Sequence, residues 1–435
     1  MKPFLCLVVL MVMGFFSPAQ GNAKDAYTFD LSETEKKPHH FGGYVEIKPV
    51  LYGLDHDAAF YKLRFYNDPP GQTLPEVNGR VQLEGSYEKD NYRLYAKTNT
   101  DFKYSNYAGG SEHSIFYEAY GSLKPTPSLK IDAGKKTMKW GKGYAWNPVA
   151  FVDRPKDPDD PELALEGYIV ATTDYIKSLE GSLQTVSFTP VLIPVYDHVN
   201  DAFGNNNKLN VAGRLYFLLY DTDIDFLFLT GGSRTDRYGA DFSRNLTTNL
   251  EIHGEYASIR NYQKKVLDPN GITHEIEEDT HSYLIGMRYL TAFDLTVITE
   301  YYHNGTGFGV DNMKNYYASI NRGYNTYCST GNETALINVR NMAEGSYGRS
   351  NPMENYLYLR LSQKEPFDIL YFTPALTWIM NLNDRSWSFT PEVLYTGITN
   401  LELRLRTGFI VGGRDTEFGE KQKDYRIELR VGYYF

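Results

Sequence analysis

Over its last twelve residues, Asp424 to Phe435, the chain alternates apolar and polar side chains without a break. Successive side chains of a β-strand point to opposite faces. Tyr425, Ile427, Leu429, Val431, Tyr433 and Phe435 therefore share one face, and Asp424, Arg426, Glu428, Arg430 and Gly432 share the other. One face suits hydrocarbon and the other water, which is what a strand of a water-filled membrane barrel requires. An amphipathic strand of a soluble β-sandwich has the same period, so the rest of the chain must separate the two.

Segments of the same kind recur at about the nine to eleven residues that cross a bilayer as a tilted strand. They are 42–53, 77–88, 91–103, 112–122, 127–138, 167–175, 181–190, 208–220, 222–231, 235–243, 247–259, 281–291, 293–302, 354–362, 371–381, 386–395, 400–411 and the terminal strand. That count is eighteen, or sixteen if weak segments such as 235–243 merge with neighbours, and an even number is expected of a single-chain bacterial barrel. Residues 60–66 fit an additional strand or part of a loop.

The joins sort by parity. Short ones follow Glu88, Ser122, Tyr175, Tyr220, Ser243, Thr291, Ser362 and Tyr395, each after an even-numbered strand. Most long ones follow odd-numbered strands, at 54–76, 139–166, 191–207, 260–280, 303–353 and 412–423; the joins after Gly231 and Asn381 are short exceptions. Short periplasmic turns and long outer loops make this pattern in outer-membrane barrels, whereas a soluble sandwich has no reason to sort its loops so. The predicted fold is all-β: a transmembrane antiparallel β-barrel of about eighteen strands, with sixteen possible.

Composition sharpens the picture. Lys2, an apolar run from Phe4 to Phe16 and small residues up to Ala23 read as a signal peptide over residues 1–23, followed by a periplasmic lead-in at 24–41 and the barrel at 42–435. The mean hydropathy is negative and no later stretch is long and apolar enough for a membrane helix. A barrel hides from that average because its lipid face takes only alternate residues. The 37 tyrosines suit interfacial girdles. A formal charge of −10 argues against nucleic acid as partner. Loss of Cys6 with the signal leaves only Cys328, so no intrachain disulfide and no thiolate metal cluster is expected. His39-His40 lacks a third ligand, Asp221, Asp223 and Asp225 lack the rest of a calcium loop, and His113 and Ser114 fall on opposite strand faces. No cofactor, metal site or catalytic residue is therefore expected.

A final aromatic at Phe435 resembles the terminal strand of Gram-negative outer-membrane barrels, and the resemblance implies that it forms part of the signal read by the barrel-insertion machinery. Lys139-Trp140-Gly141, followed by Asn147-Pro148 and Arg154-Pro155-Lys156-Asp157-Pro158, resembles porin-like outer-membrane proteins in which such a loop folds inside the pore. On that reading Lys135, Lys136, Lys139, Lys142, Arg154 and Lys156 face Asp153, Asp157, Asp159, Asp160 and Glu162 across a constriction, and mixed charge rings of this kind set selectivity. Asp160 and Pro161 are expected to start a short helix ending at Gly167. Arg80, Arg93, Arg404, Arg406, Arg426 and Arg430 are expected on the lumen face, the last four making one wall locally basic. The long 303–353 loop is expected to hold a short helix at 332–344.

The implied function is a passive channel for small polar or charged solutes, set in outer-membrane lipid and compatible with a homo-oligomer. A scaffold barrel housing or docking a partner of an export or electron-transfer assembly is the alternative.

Overall fold

The computed structural model describes residues 38–435, so the signal peptide and most of the lead-in lie outside the described residues. The strands are β1 His39–Leu54, β2 Thr73–Lys89, β3 Tyr92–Ser105, β4 Gly109–Thr126, β5 Leu129–Lys136, β6 Tyr168–Ser178, β7 Leu183–Val195, β8 Lys208–Leu219 and β9 Thr222–Thr230. They continue with β10 Arg237–Thr247, β11 Leu250–Leu267, β12 Thr273–Leu290, β13 Leu295–His303, β14 Asn355–Gln363, β15 Phe372–Asn381, β16 Trp387–Ile398, β17 Leu401–Val411 and β18 Lys423–Tyr434. Each pairs antiparallel with its sequence neighbours, and β18 returns to β1, with Ile47 opposite Val431 and Leu51 opposite Ile427. The sheet is a closed barrel of eighteen strands, and closure removes every free edge.

Burial runs opposite to that of a soluble protein. On β18 Glu428 is 4% and Arg430 8% exposed, while Ile427 and Leu429 are each 44% exposed. The alternation therefore puts charge inside and hydrocarbon outside, as a lipid-facing wall requires. At the seam, Gly43 and Phe435 exchange backbone hydrogen bonds of 2.9 and 3.0 Å. A Cβ at Gly43 would stand 2.3 Å from the Phe435 ring and 2.9 Å from the Gln82 carbonyl, so the terminal aromatic packs over a position only glycine leaves open.

Four local expectations are corrected. Residues 60–66 are neither strand nor irregular loop: Ala59–Phe65 is a helix, α1, burying Ala59, Tyr61, Leu63 and Phe65. No helix follows Asp160, where Asp157 and Asp160 carbonyls accept turn bonds from the amides of Asp160 and Leu163. The expected loop at 260–280 is mostly strand, because β11 and β12 run on as a hairpin to Leu267 and Thr273. In the long β13–β14 connection the expected helix is α3, Thr334–Met342, but it is preceded by an unforeseen α2, Val310–Thr330. Its buried face of Met313, Tyr316, Tyr317 and Ile320 has the helical i, i+3, i+4, i+7 spacing. Tyrosines and asparagines of middling propensity obscured it. In addition, β1 begins at His39, and His39 and His40 pair with Tyr87 and Ser86.

Candidate functional site: the loop inside the barrel

Residues 137–167, between β5 and β6, lie within the barrel and are fastened to its inner wall in four ways. The first is apolar. Trp140, Val149, Phe151 and Val152 pack with Tyr168 and Val170 of β6, Ile193 of β7, Ala212 of β8 and Leu227 and Leu229 of β9. At these positions the inward face is hydrocarbon, so the loop covers apolar surface that water would otherwise wet.

The second is a carboxylate cradle. Glu255 of β11 accepts from the amides of Lys142 and Gly143 at 2.6 Å, from Asn147 Nδ2 at 2.9 Å and from the Val149 amide at 3.2 Å. Glu300 of β13 accepts from the Tyr144 and Ala145 amides and contacts His253 Nε2 at 2.9 Å. Gly141 makes this approach possible: its φ is +95°, and a Cβ there would stand 2.8 Å from Glu255 Oε1. The Trp-Gly pattern noted in the sequence thus presents backbone amides to a buried carboxylate.

The third and fourth are ion pairs of opposite polarity. Lys142 reaches Asp225 of β9 at 3.0 Å and Asp241 of β10 at 4.0 Å. At the other end Asp160 meets Arg430 at 2.9 Å and Arg406 at 3.7 Å, and Asp159 meets Arg426 at 3.7 Å. The loop's charge order, Lys142 before Asp159 and Asp160, matches an acidic wall on β9–β11 and an arginine row on β17–β18. Burial alone would raise the Asp160 carboxyl, but the charges of Arg430 and Arg406 hold it below the ordinary carboxylate range.

Other candidate residues serve the loop's own architecture. Asp153 accepts from the amides of Met138, Lys139 and Trp140 at 2.8–2.9 Å. Lys156 donates to the carbonyls of Gly143 and Tyr144 at 2.8 and 3.2 Å. Arg154 pairs with Glu166 at 2.8 Å, and Glu166 also takes Lys135. Asp157 accepts from the Asp159 amide at 3.0 Å, and Lys139 is exposed. Lys135 and Lys136 belong to β5; Lys136 pairs with Asp132, while Lys135 alternates onto the face of Ile131 and Ala133.

Of the expected lumen residues, Arg80 pairs with Asp101 at 2.7 Å, and Arg93 lies 5.5 Å from the Tyr95 ring centroid. The wall of Arg404, Arg406, Arg426 and Arg430 is not left basic. Glu392 lies 3.8 Å from Arg404 and 2.9 Å from Arg406, and Glu46 and Glu428 lie 3.5 and 3.1 Å from Arg430, besides the loop aspartates. Cross-strand alternation showed which face the arginines take but not which acids meet them. Glu255 and Glu300, the strongest anchors, carry no local signal beyond an inward position on a strand.

The inner loop also joins the helices at the long-loop end. Trp146 stacks on Tyr302 with centroids 5.2 Å apart and packs against Tyr356 and Tyr358. Ala145 and Trp146 belong to the same apolar core as Leu63 of α1, Met313, Tyr316 and Tyr317 of α2 and Leu336 of α3. Beside the loop a cavity of about 860 Å³ is lined by Lys139, Arg154, Lys156, Arg234, Arg237 and Arg349, among others.

No family model and no curated protein sequence matches the chain. Among solved structures it is similar to Pseudomonas aeruginosa OccK5 (OpdH), with a TM-score of 0.52 at 12% identity over 91% of this chain and 98% of that one. It is also similar to Pseudomonas aeruginosa OccK11 (OpdR), with a TM-score of 0.50 at 10% identity over 91% and 96%. A triple mutant of Rhodopseudomonas blastica porin aligns over 91% of this chain and all of that one at a TM-score of 0.43 and 10% identity. At these identities the likeness is one of fold: the chain shares with OccK5 and OccK11 the fold seen here as a closed antiparallel barrel of eighteen strands.

Proposed function

We propose that the protein is a Gram-negative outer-membrane channel through which small polar or charged solutes diffuse passively, with the 137–167 loop as its constriction. The observation that carries this is the inner loop itself, fastened across a charged lumen by apolar packing, a carboxylate cradle and two sets of ion pairs. A barrel of this strand number leaves an aqueous passage, and a segment so anchored narrows it without becoming a detachable plug. A scaffold that houses a partner needs a vacant lumen, whereas this one holds its own loop, which favours the channel. Export by cleavage within residues 1–23, recognition of Phe435 by the insertion machinery, and assembly into homo-oligomers belong to the same reading.

Single-channel recording of the refolded protein in planar bilayers tests it. Stable open steps in KCl are expected; a folded, heat-modifiable barrel that never conducts would end the channel reading. The selectivity of the constriction is tested by the double variant Asp159→Asn, Asp160→Asn. Removing one side of these largely buried pairs costs roughly 3 kcal/mol, so hydrogen exchange across 155–163 should rise and the reversal potential in a salt gradient should move toward anions. The pH dependence has a fixed sign. Because the Asp160 pKa is lowered, the latch is present at neutral pH and is lost as pH falls through that lowered value.

A further inference from the structure

The rim at the long-loop end of the barrel is uneven. β10 begins at Arg237 opposite Ile259 of β11, yet β11 runs on to Leu267, so residues 260–267 continue about 25 Å further along the strand. On the other flank Lys135, one residue from the end of β5, pairs with Ala119, and residues 109–117 of β4 extend beyond that end. Between these two tall flanks the wall is low. Lys136 of β5 meets Tyr168 of β6, and Val195 of β7 meets Lys208 of β8, each at the outer end of its strand.

Tight packing keeps the rim low over β7–β10. The Asn205 amide donates to the Ser233 carbonyl at 2.9 Å, and Asn210 Nδ2 donates to Ser233 Oγ at 2.8 Å. A Cβ at Gly204 would stand 2.2 Å from the Ser233 carbonyl oxygen, so the β7–β8 and β9–β10 connections lie directly on each other. Arg234 then ties both to the inner loop, donating to the carbonyls of Phe203 and Phe151.

The remainder of the mouth is filled with hydrocarbon. One core joins Leu63 of α1, Tyr316 of α2 and Phe418 of the β17–β18 connection to Leu267 of β11, Tyr356 of β14 and Ile379 of β15. Another seats Tyr61 and Phe65 of α1 on Leu54 of β1 and Leu74 of β2, with Tyr107 of the β3–β4 turn packed against it. Among the described residues neither core includes one from β5–β10. A polar solute forced through such close-packed apolar side chains would lose its hydration without compensation, so an aqueous path has to run beside the helices. At the low rim an outer cleft of about 310 Å³ is lined by Asn205, Thr235, Asp236, Arg260 and Gln263. Arg234 is a wall common to this cleft and to the 860 Å³ cavity beside the inner loop.

We propose that the outer entrance of the channel is lateral: solutes reach the inner cavity over the low rim of β7–β10, through the cleft between Asn205 and Gln263, while the helices of the long connection form a fixed cap. The proposal rests on the channel reading and adds the route to it. The cap is the larger part of the mouth, and the tethers of Ser233 and Arg234 hold the passage beside it open.

The test is planar-bilayer recording of the full chain before and after modification with a bulky polyethylene-glycol maleimide, with labelling followed by gel shift. Asn205→Cys and Gln263→Cys, both exposed and each carried in a Cys328→Ser chain, should lose at least about half of the open conductance on labelling, because a polymer seated in a narrow aqueous mouth excludes its ions. The wild-type chain labelled at Cys328, exposed near the end of α2, should conduct as before. So should Ser111→Cys, on the tall part of β4, in the same Cys328→Ser chain. Heat-modifiable mobility verifies the fold of each variant. Unchanged conductance in either labelled cleft variant, or an equal block from Cys328 or from position 111, would overturn the lateral entrance and leave the channel standing. A folded wild-type barrel that never conducts would overturn the channel reading, and the entrance with it.

Discussion

Glu255→Ala is expected to release the inner loop and give a channel of higher and noisier conductance than wild type. The Glu255 carboxylate is the common acceptor for three loop amides and the Asn147 side chain. Truncation leaves four donors facing an apolar methyl. A buried donor without a partner costs roughly 1–3 kcal/mol, and water entering the vacated space recovers part of that, so the net loss is about 3–5 kcal/mol. The apolar anchor and the Asp160 latch remain, which localises the effect to residues 141–149. Glu255→Gln keeps the shape but turns one acceptor into a donor aimed at other donors, and should give an intermediate phenotype. Hydrogen exchange across 141–149, read beside single-channel traces, checks both. Traces and exchange superimposable on wild type would show that apolar packing alone holds the loop.

The second large effect concerns the β17–β18 connection. Glu417 is 1% exposed and accepts from the Tyr356 hydroxyl at 2.6 Å and from Asn381 Nδ2 at 2.7 Å; its other oxygen has no hydrogen-bond partner. Lys421, 3.6 Å away, is the nearby cation. Burial is the main cause that pushes the Glu417 carboxyl up to about 7. The folded state therefore holds the proton more tightly than the unfolded chain. The resulting stabilisation is complete below the unfolded value near 4.5 and is lost as pH rises through about 7. The shift corresponds to about 3 kcal/mol. Exchange across 412–422, corrected for intrinsic rates, should be faster at pH 8 than at pH 5.5, and Glu417→Gln should remove most of that difference. A wild-type segment equally protected at both pH values would refute the assignment.

The barrel was legible because its physics is local. A strand in a wall with lipid on one side and water on the other must alternate, and β18 does so residue by residue from Asp424 to Phe435. Turn length follows from the same constraint, since short joins gather at one end of the barrel. All eighteen segments have counterparts in the observed strands, with boundaries shifted mainly where hairpins extend beyond the bilayer, as in β11 and β12. Alternation does not reveal the β12 half of that hairpin, because a strand wet on both faces carries no apolar period: residues 273–279 are all exposed, while Val266 and Leu267 of the β11 half are buried in the core shared with the helices of the long connection. The helix α1 was missed because its apolar positions, Ala59, Tyr61, Leu63 and Phe65, alternate as a strand's would. Only its packing against the helices of the long connection selects the helical form.

The sequence by itself determined the architecture, the sidedness of each strand, the placement of arginines on the lumen face and the resemblance of the Trp140-Gly141 loop to one folded inward. Tertiary structure alone decided what those charges meet. Glu255 and Glu300 act on amides more than a hundred residues away in the chain. Asp160 finds Arg430 across the lumen, and Arg237 is left without an acid. Alternation is imposed by the solvent beside each residue, so it is written locally; charge pairing depends on which strands closure and loop folding bring face to face, and no local period records that.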